Sequence, residues 1–152
     1  MNLAIEQLAQ RILDLSGEVN ISGASDQEIE ELLSVWQVRA LPRAYVDFLK
    51  LMGRGAGSLL KGTDAFLPRI KQMPSFVAEF RSENDEFWRL PQESIVFAMH
   101  QGYQVYYLEA SSVDDPPVAL YVEGDSEPIR RWESFTSFLR HQLTEDYGRL
   151  AG

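Results

Sequence analysis

The chain has 152 residues, 45% of them hydrophobic and 11% aromatic, enough for the core of one domain and too apolar for an intrinsically disordered chain. Its 23 acidic and 14 basic side chains leave a formal net charge of −9 at pH 7, a balance that repels the phosphates of nucleic acid. Cysteine is absent, which excludes disulfides, thiolate metal sites and a cysteine nucleophile.

In chain order, residues 3–15 place Leu3, Leu8, Ile12 and Leu15 near one face of a helix. Gly17 and the stretch Asn20-Ile21-Ser22-Gly23 interrupt it. Ser25 followed by Glu28 is a capping box that opens a second helix. Asp26, Glu28, Glu30 and Glu31 crowd its start, where the helix dipole favours negative charge, and Ile29, Leu32, Leu33 and Trp36 form its apolar stripe. A third helix starts at Leu41-Pro42, with proline at the first helical position. Tyr45, Phe48, Leu49 and Met52 give it a core-facing stripe, and Gly53 is expected to close it in the left-handed conformation. Residues 53–57 read as a glycine-rich loop. A short fourth helix begins at Pro74-Ser75 and carries Phe76, Val77 and Phe80. The polar stretch from Arg81 to Glu86 is expected to be a loop.

The second half turns to strands. Ser94 to Met99 is β-rich, and His100-Gln101-Gly102 reads as a hairpin turn. Tyr103 to Glu109 carries apolar groups on both faces, as a central strand does. Ser111 to Pro117 is a loop, Val118 to Glu123 a strand, Gly124-Asp125 a turn, and Pro128 to Trp132 an edge strand. Ser134 caps a last helix with Phe135, Phe138, Leu139 and Leu143 inward. The expected fold is α+β: one domain over residues 1–152, a central, mostly antiparallel sheet flanked by N-terminal helices and a C-terminal helix. The first residues lack the basic start and apolar run of a signal peptide, and the apolar runs 95–99 and 118–122 fall far short of the roughly 20 residues of a membrane span. A cytoplasmic protein with no membrane partner is expected.

The charge is uneven. Residues 72–128 hold 2 basic and 11 acidic side chains and so the whole imbalance. They supply either a solvated face or a steering surface for a basic partner. Trp88 stands beside the acidic stretch, an aromatic anchor within an acidic rim.

Catalytic signals are weak. Residues 53–57 lack the Gly-Lys-Ser/Thr ending of a phosphate loop and follow a helix rather than a strand. His100 and His141 are the two histidines; Ser94, Ser111 and Ser112 are candidate neighbours of His100, but no nucleophile-elbow pattern surrounds them. Asp114-Asp115 and Glu123-x-Asp125 fit no calcium-loop pattern, and turn chemistry accounts for them. The expectation is no catalytic residue, no metal and no cofactor.

The segment Trp36 to Leu49, with Leu41-Pro42, Tyr45, Phe48-Leu49 and then Gly53, resembles the SUKH superfamily of bacterial immunity proteins and fungal regulators of cell-wall assembly. Val118 to Asp125, closing on Glu-Gly-Asp, and Ser134-Phe135-x-x-Phe138-Leu139 extend the likeness over about residues 25–143. Met52-Gly53-Arg54-Gly55 replaces the Asn-Gly-Gly often found after the helix. The resemblance implies a non-catalytic binding fold whose bacterial members mostly neutralise a cognate toxin, often a nuclease or deaminase. With the charge pattern it yields an expected steering face of Glu83, Asp85, Glu86, Asp114, Asp115, Glu123 and Asp125, with Trp88 and Tyr103 as anchors for a basic toxin domain. A regulatory module with a non-toxin partner is the alternative.

Overall fold

The computed structural model describes residues 2–16, 21–60, 62–84, 91 and 93–151, and their side chains other than those of 16, 81–84 and 147–151. Helix α1 (Leu3–Ser16) is capped by Asn2, whose side-chain oxygen accepts from the Ala4 N–H at 2.9 Å. Its inward stripe is Ile5, Leu8 and Ile12; Leu3, expected on that face, is 65% exposed because it lies two residues off the stripe. Helix α2 (Asp26–Trp36) opens with the expected capping box: Ser25 Oγ accepts from the Glu28 N–H and Glu28 Oε1 from the Ser25 N–H.

Helix α3 (Arg43–Met52) buries Tyr45, Phe48, Leu49 and Met52 as its spacing predicts. Pro42 is its cap rather than its first helical residue. Gly53 is not left-handed; its φ is −63°. What requires glycine there is space, since a Cβ would stand 2.6 Å from the Leu49 carbonyl oxygen. Gly23 is tighter still, with a Cβ position 1.9 Å from the Lys50 carbonyl oxygen. The chain passes over the end of α3 here, and the Ala24 N–H donates to the Leu49 carbonyl at 2.8 Å. Two short strands, β1 (Ile21–Ser22) and β2 (Gly55–Ala56), pair antiparallel beside it.

Strand β3 (Thr63–Asp64), a 3-10 turn at Arg69–Gln72 and helix α4 (Met73–Asn84) follow. The helix runs through residues 81–84, where a loop was expected. Arg and Glu are good helix formers, and polarity alone does not end a helix. Strands β4 (Ile95–His100), β5 (Gln104–Leu108), β6 (Val118–Val122) and β7 (Arg130–Trp132) and helix α5 (Phe135–Ala151) complete the chain. The main sheet is an antiparallel meander, β3-β4-β5-β6-β7, with β5 at its centre. This is the α+β arrangement expected.

The sheet is covered on both faces. Phe97, Tyr106 and Trp132 point to one side, where they meet Tyr45 of α3 and Phe135 and Phe138 of α5. Phe97 sits at the register shift between Val96 and Ala98. Ring centroids 4.9–6.0 Å apart with steep tilts make this an edge-to-face aromatic core. Tyr121, on the opposite side, meets Phe80 of α4 edge-on at 5.8 Å.

The loop between β5 and β6 ties two helices to the sheet. The Asp114 carbonyl accepts from the Ala44 N–H at 2.8 Å and so caps α3, which lacks a side-chain cap of its own. Asp115 accepts from the backbone N–H of Thr136 at 3.0 Å and from its hydroxyl at 2.7 Å, at the start of α5. Ser134 Oγ accepts from the Ser137 N–H beside it, as its expected capping role requires.

Candidate interaction surface

In the meander, the β4–β5 and β6–β7 turns lie at one end of the sheet and the 109–117 loop at the other. Strand β5 separates them by about 17 Å, at about 3.4 Å per residue. The expected steering face therefore divides. Tyr103, Glu123 and Asp125 share the first end; Asp114 and Asp115 belong to the second.

At the first end the turns are locked together. The Glu123 N–H donates to the Tyr103 carbonyl at 2.9 Å, and the Asp125 N–H to the Val122 carbonyl at 3.1 Å. Gln101 and Gly102 both have positive φ, 54° and 77°, the pattern of a two-residue hairpin turn. The Tyr121 hydroxyl donates to the Asp125 carbonyl and anchors the second turn from below. Burial, with the Asp125 and Glu123 carboxylates beside it, pushes that hydroxyl above the usual tyrosine range.

The carboxylates of the β6–β7 turn stand outside the ion pairs of the described residues. Glu28, Glu31 and Glu109 pair with Arg54, Lys71 and Arg131, and Asp64, beside the β4–β5 turn, pairs with Arg69. Among the described residues Glu123, Asp125 and Glu127 have no cationic partner within ion-pair distance. Tyr103, joined to Glu123 through its backbone, is 36% exposed, and Ile129, two residues past Glu127, is 56% exposed. A groove of about 350 Å³ opens next to the Gln101-Gly102 turn and is lined by Asp64, Arg69, Phe76, Glu79, Phe80 and Met99. The end thus offers unneutralised charge, an exposed aromatic and a concave neighbour. Glu127 and the groove were not singled out in the sequence. The alternation Glu123-x-Asp125-x-Glu127 was the available signal.

Asp115 is committed to α5 through both its oxygens, and Asp114 holds α3 through its backbone, though its side chain is exposed. Asp85, Glu86 and Trp88 lie outside the described residues, and of Glu83 only the helical backbone is described.

No serine–histidine arrangement forms at the sites considered from the sequence. His100 Nδ1 lies 3.0 Å from the Thr63 hydroxyl at one end of β4. Ser94, before the other end of that strand, donates to the Pro91 carbonyl, and Ser112 to Glu93. Among the described residues no three His, Asp or Glu side chains converge in a metal-ligating group. Nor is any helix among them long and apolar enough to cross a membrane.

Comparison with known families gives one match: residues 26–139 fit the SUKH_6 family, whose description is SMI1-KNR4 cell-wall. That span takes in α2 through the first five residues of α5, a helix of 17, and leaves α1 outside. No curated protein matches the chain.

Proposed function

The chain belongs to the SUKH superfamily, a group of protein-binding immunity and regulatory domains, and from that membership we propose that it is an immunity protein neutralising a toxin by direct binding. The observation that carries the proposal is the acidic β6–β7 turn: among the described residues Glu123, Asp125 and Glu127 have no cationic partner, and the exposed Tyr103 is bonded to Glu123 through its backbone. A nuclease-type toxin presents a basic cleft for phosphate. Rigid turns bearing unneutralised carboxylates complement such a cleft, speed encounter and reject acidic competitors. Tyr103 supplies apolar contact area at the rim. Asp114, exposed at the far end, would extend the contact only for a partner that wraps the domain. Asp115 serves by holding the fold.

A second reading follows from the family description, SMI1-KNR4 cell-wall, which favours a regulatory interaction module with a non-toxin partner. Affinity capture with the tagged full chain from its native host, at low and moderate salt, separates the two. A basic toxin-like chain that releases as salt rises supports neutralisation; its co-expression with this chain should then restore growth. Recovery of a cell-wall or signalling protein instead would replace the toxin reading with the regulatory one.

A further inference from the structure

The seam between β7 and α5 holds His141 between two side chains that make opposite demands on one nitrogen. The Arg130 guanidinium lies 2.8 Å from His141 Nε2. A guanidinium only donates, so this contact makes Nε2 an acceptor and places the ring proton on Nδ1. Nδ1 is buried and has no hydrogen-bond partner among the described residues. The Glu145 carboxylate, one helical turn further along α5, lies 3.3 Å from the same Nε2. A carboxylate only accepts, so that contact becomes a hydrogen bond once Nε2 is protonated. The nitrogen satisfies one partner at a time.

The guanidinium is also held over the Trp132 ring, 4.7 Å from its centroid, and the His141 ring lies 6.0 Å from the same indole. Arg130 and Trp132 both belong to the edge strand β7; His141 and Glu145 belong to α5. From β5, Tyr106 also faces this seam, with its hydroxyl pushed up by burial and then by the Glu145 carboxylate. Asp146, next along α5, is pushed up mainly by burial; its carboxylate accepts from the Leu60 N–H at 2.8 Å and faces that loop.

We propose that His141 is a proton-operated latch between β7 and α5. Neutral, it accepts from Arg130 and ties the edge strand to the helix. On taking a proton from solvent at Nε2, it donates to Glu145, repels the guanidinium and releases Arg130. Strand β7 directly follows the turn at 123–129, so the latch sets how firmly that turn is held. That consequence rests on the docking reading above; the latch itself does not.

The test is an NMR titration of the full chain from pH 8 to 5, following the ring nitrogens of His141. At pH 8 the ring should be the Nδ1–H tautomer. Arg130→Met should raise the titration midpoint and Glu145→Gln lower it, each by about 0.5 pH unit, the scale of an exposed charge contact. The Trp132 ring signals should move with the same midpoint in the unsubstituted chain and move less in Arg130→Met, where the His141 ring alone acts on the indole. An Nε2–H tautomer at pH 8, or a midpoint that either substitution leaves in place, overturns the latch. Partner binding insensitive to this end of the sheet, with the tautomer as stated, would fault the docking reading instead.

Discussion

Two glycines and one tyrosine show how closely the interior is specified at the scale of single residues. Gly23 and Gly53 face backbone atoms of α3, which cannot swing aside as a side chain would. Gly53→Ala should therefore cost about 1–3 kcal/mol by overpacking, and Gly23→Ala the upper end of that range or more. Urea denaturation of the two variants checks the order. Tyr45 is fully buried amid Trp36, Phe48, Phe97 and Phe135, and its hydroxyl has no hydrogen-bond partner among the described residues. Burial pushes that hydroxyl far above the usual tyrosine range. The unfolded chain ionises first, so ionisation of this group leaves stability unchanged below about pH 10 and lowers it as pH rises beyond that. Tyr45→Phe removes the orphaned hydroxyl. It should raise stability by about 1 kcal/mol and make the alkaline fall shallower, as urea midpoints at pH 8 and 11 would show.

At the scale of elements, the acidic pair in the 111–117 loop changes meaning between sequence and structure. Asp114 and Asp115 sit in a run of acids, and by charge alone they join the steering face. In space, one caps α3 and the other binds the start of α5. Asp115→Ala should cost about 1–2 kcal/mol, with Asp115→Asn recovering part of the loss, in thermal or urea unfolding. Neither variant should alter binding by the other end of the sheet. The helices and the strand meander were legible because capping boxes, 3.6-residue stripes and turn glycines are local signals. The ties between loops and helix ends, the short strands β1 to β3 and the continuation of α4 through residue 84 were not. They depend on partners tens of residues away, or on helix propensity that polar composition hides.

On the scale of the whole molecule, the net charge of −9 says that a basic partner is favoured but not where it docks. Folding sorts the acids. Some are neutralised by arginine and lysine, Asp115 is absorbed into a helix start, and Glu123, Asp125 and Glu127 remain bare around the turns at one end. Long-range steering comes from such unpaired charge and fades as salt screens it, over about 8 Å at physiological ionic strength. The docking surface we propose is this end of the sheet. The measurement that tests it most directly compares association rates of the captured partner with the unsubstituted chain and with Glu123→Lys/Asp125→Lys/Glu127→Lys, at low and high salt. The account predicts a fall of about tenfold or more at low salt and convergence of the two proteins at high salt. Equal rates at low salt, with the variant folded, would contradict it.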